Sequence, residues 1–173
     1  MCTTSLGRTA LGFLFAGLIA ACGRGAAPEQ AGLPYRDPRL SIERRVEDLL
    51  GRMTAAEKFR QLFMVAGDLD AGTEAYKDGV FGLQVRGDTD ARSAAARIGA
   101  IQKFFVEGTR LGVPVVPFEE ALHGLVAPGA TAFPQAIGLA ATWDPALVGE
   151  VAGAVAAETR SRGIRQVLSP VVN

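Results

Sequence analysis

The sequence predicts an α/β fold built on a parallel sheet. Short apolar segments typical of strands centre near Leu83, Val116 and Val167, and they lie 33 and 51 residues apart. Such gaps are too long for hairpins but suit parallel strands joined by helices. The strand candidates are continuously apolar, which is typical of a sheet covered on both faces.

Two helices are predicted at the start of the folded body. Ser41 is a typical N-cap, and the apolar residues behind it recur at helical spacing. They predict one buried stripe: Ile42, Val46, Leu49, Leu50 and Met53. Residues 54–57 (TAAE) have the form of a capping box. The second helix that they begin should bury Phe59, Leu62 and Phe63.

Strands and helices then alternate. The sequence predicts a strand over 80–85 and a helix over 90–111, which Gly112 ends. The helix should bury a stripe of four residues: Ala94, Ile98, Ile101 and Phe105. A second strand is predicted over 113–118, with irregular pairing because its two prolines each lack a donor.

A last helix and strand complete the pattern. Asp144 is a typical N-cap with Pro145 at the first helical position, and Gly163 ends the helix. Its inward face is predicted from its apolar residues: Leu147, Val148, Val151, Ala152 and Val155. Residues 164–172 form the final predicted strand.

Composition excludes several functional classes. The chain has 173 residues, of which 49% are hydrophobic and 21% charged, as in ordinary globular domains. Eighteen basic residues balance eighteen acidic ones, so no net field attracts nucleic acid. Two Cys and one His exclude a Cys-based zinc finger and a site of several imidazoles. No metal site is expected, and no nucleotide-binding motif occurs.

The N-terminus predicts export. Arg8 precedes a twelve-residue apolar stretch, about 18 Å as a helix and too short for a hydrocarbon core of roughly 30 Å. Residues 1–21 are therefore predicted to be a signal peptide. Residues 19–22 (IAAC) resemble a bacterial lipobox, which implies lipid attachment at Cys22. The alternative is a plain signal peptide cut near Ala21 or Ala27.

These features predict the domain organisation and the location. Residues 22–40 are rich in Gly, Pro and Ala and are predicted to be a flexible tether. The folded domain is then 41–173. A lipid anchor would hold the protein on the membrane of the periplasm or cell envelope.

The densest polar cluster is residues 119–124 (EEALHG), directly after a predicted strand. Ligands of α/β folds bind at the carboxyl ends of strands. Neighbours in an extended segment point to opposite faces, so one of Glu119 and Glu120 should face a pocket and the other anchor the scaffold. His123 is either a buried imidazole bonded to backbone or a ligand contact.

Other polar residues have simpler interpretations. Arg86, just past a strand, is a candidate pocket residue. Residues 67–70 (GDLD) and 87–90 (GDTD) are typical of turns and caps. Four arginines are predicted on solvated helix faces: Arg92, Arg97, Arg160 and Arg162.

Five segments in order resemble glycoside hydrolase family 3, the family of β-glucosidases and β-xylosidases. They are 45–58 (RVEDLLGRMTAAEK), 109–114 (TRLGVP), 120–124 (EALHG), 129–145 (GATAFPQAIGLAATWDP) and 168–173 (LSPVVN). The resemblance implies the N-terminal portion of a (β/α)8 barrel. A closed barrel needs about 250 residues, so we expect a truncated barrel, although a doubly wound sheet could close in this length.

The resemblance also implies a function. A retaining β-glycosidase of this family uses an Asp nucleophile and a separate acid/base, without a cofactor. Both are expected in later sequence, so no catalytic residue is expected within this chain, which should be inactive alone. Glu120 resembles the family's contact to sugar hydroxyls, and His123 resembles a histidine near the pocket. The predicted substrates are β-glucosides or oligosaccharides; the alternatives are a β-xylosidase and a non-catalytic, sugar-binding surface lipoprotein.

Overall fold

Four parallel strands form one sheet in the computed structural model, which describes residues 32–86 and 88–171. The strands are β1 (Met64–Ala66), β2 (Gly82–Gln84), β3 (Val116–Glu119) and β4 (Gln166–Val167). Their spatial order is their order along the chain. A doubly wound sheet reverses its strand order at a switch point, whereas a barrel wall keeps chain order. The predicted α/β class is confirmed, and this part of the chain corresponds to a barrel-like domain.

Five α-helices accompany these strands within the described residues. They are α1 (Ile42–Arg52), α2 (Ala55–Arg60), α3 (Ala91–Lys103), α4 (Ala136–Ala140) and α5 (Pro145–Ser161), and α3 continues into a π-helical turn over Phe104–Gly108. In the same part of the chain, none of the helices combines the length and the apolar composition that crossing a bilayer requires.

The predicted helix caps are confirmed. The Ser41 side chain accepts a hydrogen bond from the amide of Arg44, and Asp144 accepts two at the start of α5. Thr54 and Glu57 exchange both hydrogen bonds of a capping box. These local interactions need only neighbours in sequence, so the sequence pattern is sufficient to predict them.

The core lies between the sheet and α3. The predicted stripe of α3 is confirmed, since Ala94, Ile98, Ile101 and Phe105 are all buried. Phe105 packs with Leu83, the centre of β2, and neither side chain is exposed to solvent.

The strands are shorter than predicted, and one was not predicted. β1 was missed because its three residues directly follow an apolar helical pattern. Of the two prolines at which irregular pairing is predicted, Pro114 precedes β3 and Pro117 lies within the strand. Pro117 is in register with Leu83, and its carbonyl accepts a hydrogen bond from the amide of Arg165 at 2.9 Å.

Three predicted buried faces are wrong within the described residues. In α1, Ile42 is 71% exposed and no residue is buried. After α2, Leu62 is 78% exposed, and in α5 only Val155 of the predicted inward face is buried. Helical spacing determines which residues share a face, but not whether another element covers that face.

The tether is predicted over residues 22–40. Its segment 34–36 is packed against the body rather than extended. Pro34–Arg36 form a 3₁₀ turn in which Tyr35 is buried. The Tyr35 hydroxyl donates to the carbonyl of Leu111, and Arg45 donates to the carbonyl of Tyr35 at 2.9 Å. The Pro- and Gly-rich composition gave no indication that the ring of Tyr35 would be buried. The predicted signal peptide and Cys22 lie outside the described residues.

One ion pair, between buried Glu57 and half-exposed Arg110, joins α2 to the segment before β3. Glu57 is 6% exposed, and Arg110 donates to both of its carboxylate oxygens, through Nε at 3.0 Å and through Nη2. Burial alone would raise the pKa of Glu57, but hydrogen bonds from Arg110 and Thr54 outweigh it and hold the pKa below its usual 4.5. Glu57 thus stabilises the fold in its ionised form.

We predict that Glu57→Gln lowers the free energy of unfolding at pH 7 by about 1–2 kcal/mol, a value reduced because half-exposed Arg110 is screened by solvent. A lowered pKa means that the stabilisation is complete above pH 4.5 and is lost as the pH falls through the lowered value. Urea unfolding of the whole protein between pH 7 and pH 2 measures this. The control is Glu47→Gln, on the exposed side of α1, and a Glu57→Gln difference that stays constant with pH contradicts the prediction.

Candidate functional site

A cavity of about 790 Å³ opens at the carboxyl ends of β1, β2 and β3. This volume lies within the range of ligand pockets, roughly 300–1,000 Å³. The cavity is lined by Ala66, Gly67, Asp68, Asp70, Gln84, Arg86, Asp88, Arg97, Glu119, Glu120 and Val126. Parallel pairing brings these residues together because it places all the carboxyl ends of the strands at one edge of the sheet.

The acidic end of β3 forms one side of the cavity. Glu119 is the last residue of the strand and is half-buried, while Glu120 follows it and is exposed. One carboxylate oxygen of Glu119 accepts hydrogen bonds from Gln84 Nε2 at 2.8 Å and from the amide of Glu120 at 3.0 Å. Glu119 thus joins the ends of β2 and β3.

Of the two carboxylates, one was predicted to face a pocket and the other to anchor the scaffold, and the Glu119 carboxylate does anchor the scaffold through Gln84, whereas Glu120 is exposed. Both residues line the cavity. The alternation of side chains holds only in extended backbone, and β3 ends at Glu119. Beyond that residue the chain turns, so Glu120 is not forced to the other face.

The loops after β1 and β2 contribute opposite charges. Asp68 accepts a hydrogen bond from the amide of Asp70 at 2.9 Å, which is the predicted turn chemistry, and both residues also line the cavity. Arg86 is exposed at the cavity and lies two residues after the end of β2. Arg97, predicted on a solvated face, instead lines the cavity at 3.7 Å from Asp88.

His123 lies in the loop after β3, outside the set of lining residues. It is half-buried, and its carbonyl accepts a hydrogen bond from the amide of Phe133 at 2.7 Å. Gly124 has a φ of +98°, and a Cβ there would overlap the carbonyl oxygen of Thr131. Only glycine permits this close turn, which folds residues 124–133 back onto the loop.

Arg162 holds two loops at the rim of the cavity. The prediction that it is solvated is wrong, because it is 2% exposed. It donates to the carbonyl of Thr89 at 2.8 Å and to that of Pro128 at 2.6 Å. Thr89 follows Asp88 in the chain, and Pro128 lies two residues after Val126. The tail of α5 therefore fixes two loops that carry lining residues.

A second contact from α5 supports the same loop. Glu158 accepts hydrogen bonds from the Thr131 amide at 2.9 Å and from its hydroxyl at 2.6 Å. These bonds lower the pKa of Glu158, so it remains ionised at neutral pH.

The chemistry of the lining favours a neutral ligand rich in hydroxyl groups. Five carboxylates face two guanidiniums, which leaves an excess of three negative charges. Carboxylates accept hydrogen bonds from hydroxyls, whereas the excess charge repels anions. Within residues 32–86 and 88–171, no group of three or more His, Cys, Asp or Glu side chains is arranged to hold a metal ion.

Comparison with known proteins identifies relatives over most of the chain. The family model described as the glycosyl hydrolase family 3 N terminal domain matches residues 54–173. Beta-glucosidase C of Emericella nidulans is 34% identical over 158 residues, covering 80% of this chain and 25% of the relative. The periplasmic beta-glucosidase/beta-xylosidase of Dickeya chrysanthemi is 32% identical over 161 residues, with 79% and 24% covered.

A solved β-glucosidase from Erythrobacter marinus has the same fold over this region. Its TM-score is 0.68 at 34% identity, and the match covers 82% of this chain and 20% of that one. The chain thus spans a fifth to a quarter of the length of these relatives.

We predict that Arg162→Met destabilises the whole protein by about 2–3 kcal/mol, because it removes the charged donor that two loop carbonyls share. Thermal or urea unfolding measures the loss. The matched control is Arg160→Met, the same change at an exposed position of α5, which should cost less than about 0.5 kcal/mol. Equal effects of the two substitutions would argue against the clamp.

Proposed function

The chain belongs to glycosyl hydrolase family 3, and on that premise we propose that the whole protein is an exported, retaining β-glycosidase that removes terminal β-linked glucose. The relatives of matching sequence are named as a β-glucosidase and a β-glucosidase/β-xylosidase. Because this chain spans at most a quarter of their length, the activity is proposed for the whole protein.

The cavity at the ends of β1, β2 and β3 supports a sugar-binding role. The position of Glu120 is the observation that carries the proposal. Its side chain is exposed, and it lines a cavity that is rich in carboxylates, which accept hydrogen bonds. A carboxylate can accept charge-assisted hydrogen bonds from two vicinal hydroxyls of one sugar ring. Arg86 lies in the same lining and can donate to ring or hydroxyl oxygens. We include His123 among the proposed substrate-binding residues because it lies in the loop that follows Glu120.

The carboxylates of this chain are proposed to bind the sugar rather than to react with it. A retaining glycosidase needs a nucleophile and an acid about 5–5.5 Å apart on either side of the scissile bond. Glu119 and Glu120 are adjacent in the chain, and Glu119 is already bonded to Gln84 and to the amide of its neighbour. In the family that this chain resembles, the nucleophile and the acid/base are expected beyond the segments matched here, and this supports the proposal that residues 1–173 alone do not hydrolyse glycosides.

A β-xylosidase is the second candidate, because one relative carries both names. The two sugars differ at C5, where glucose has a hydroxymethyl group and xylose has none. The ratio of kcat/KM for an aryl β-glucoside to that for an aryl β-xyloside distinguishes the candidates. A whole protein that binds sugars and hydrolyses neither substrate would instead be a non-catalytic, sugar-binding surface lipoprotein.

We predict that Glu120→Gln in the whole protein raises the Ki for glucose by about 10- to 100-fold. Loss of a charge-assisted hydrogen bond costs about 1.5–3 kcal/mol, and each 1.4 kcal/mol is tenfold. Competitive inhibition of aryl β-glucoside hydrolysis measures Ki. Glu150→Gln, on the exposed surface of α5, is the control. Unaltered Ki in Glu120→Gln would remove Glu120 from the site.

Export with a lipid anchor is also part of the proposal. The relative from Dickeya chrysanthemi is named periplasmic, and the lipobox-like residues 19–22 precede the folded domain.

We predict that the mature protein begins at Cys22 and carries acyl chains. Mass spectrometry of the N-terminal peptide measures this, and Cys22→Ser should abolish both cleavage before residue 22 and membrane retention. A mature N-terminus without a lipid adduct would contradict the prediction.

A further inference from the structure

We propose that Gln84 and Glu119 act as a positioning pair that presents Glu120 to the sugar. The inference rests on the proposed function, because it assigns to two neighbouring residues the task of orienting the proposed sugar contact. Glu120 has an exposed side chain, and its backbone amide donates to Glu119. Contacts that fix the Glu119 carboxylate therefore also fix the backbone amide of Glu120.

Glu119 is fixed through both its side chain and its backbone. Oε1 accepts the amide of Glu120 at 3.0 Å and Gln84 Nε2 at 2.8 Å. The Glu119 carbonyl accepts the amide of Leu168 at 3.0 Å, just after β4. The carboxylate is thus held from β2 while its main chain is held from the β4 side.

Gln84 is anchored equally well. It ends β2 in register with Phe118, the residue before Glu119, and its carbonyl accepts the amide of Gly67 at 3.2 Å. Gly67 also lines the cavity. One side-chain hydrogen bond between Gln84 and Glu119 therefore connects segments that are tied to all four strands.

The choice of a neutral amide at position 84 has an electrostatic reason. Glu119 and Glu120 are adjacent carboxylates, and like charges in close proximity repel. The Gln84 amide supplies a donor without adding charge, so it satisfies Glu119 and leaves the Glu120 carboxylate for the ligand. A carboxylate at position 84 would instead face Glu119 with two acceptors and no donor.

A charge swap in the whole protein tests the pair. Gln84→Glu should raise the Ki for glucose at pH 7 at least tenfold, because two carboxylates would then face each other without a donor between them. The double variant Gln84→Glu/Glu119→Gln restores one amide and one carboxylate, so its Ki should return to within threefold of the parent. Gln84→Met keeps the volume without the donor or the new charge and should raise Ki about fivefold.

Thermal unfolding and the pattern of Ki values among the variants separate the outcomes. Thermal unfolding identifies any variant that fails to fold, in which case Gln84→Met carries the test. If Glu120→Gln leaves Ki unchanged, the proposed function fails at that residue. If Glu120→Gln raises Ki but both Gln84 variants leave it unchanged, only the positioning pair is overturned. Failure of the double variant to recover from the Gln84→Glu defect also overturns it, because Glu119 would then act as a direct contact.

Discussion

The site depends on one constraint, the parallel pairing of the strands. The connections between successive strands are long enough to return the chain to the same end of the sheet, and the two longer ones contain α-helices. Each strand therefore ends at the same edge, and the polar residues that follow each strand meet there. Asp68, Arg86 and Glu120, far apart in sequence, line one cavity for this reason. Chain-order pairing extends the edge progressively, as in the wall of a barrel.

Charged side chains hold the segments around this sheet. Arg110 pairs with Glu57 at one side, and Arg162 donates to two loop carbonyls at the rim of the cavity. Each guanidinium offers several donors in a fixed plane, so one side chain can fix two separate segments. Loops need such contacts because their backbone groups have no partners in helices or strands. Arginine side chains therefore stabilise this fold both from a buried position, at Arg162, and from the surface, at Arg110.

The charge of the cavity and the family membership lead to the same class of ligand. An excess of carboxylates in the lining suits a neutral, hydroxyl-rich molecule and disfavours an anion. Members of glycosyl hydrolase family 3 with matching sequence are named for neutral sugars, glucose and xylose. Glu120, the proposed sugar contact, is exposed at this cavity.

The sequence by itself determined the α/β class, the caps at Ser41, Thr54 and Asp144, and the buried stripe of α3, because these depend on spacing between near neighbours. The family motifs also indicate residues 120–124 as a candidate site from the sequence alone. Only the tertiary structure decided which apolar faces are covered, that Tyr35 is packed, and that Arg162 is buried. It also brought Gln84 to Glu119, 35 residues away. Such contacts join segments whose meeting is fixed by strand register and loop path, and no local pattern of residues encodes that geometry.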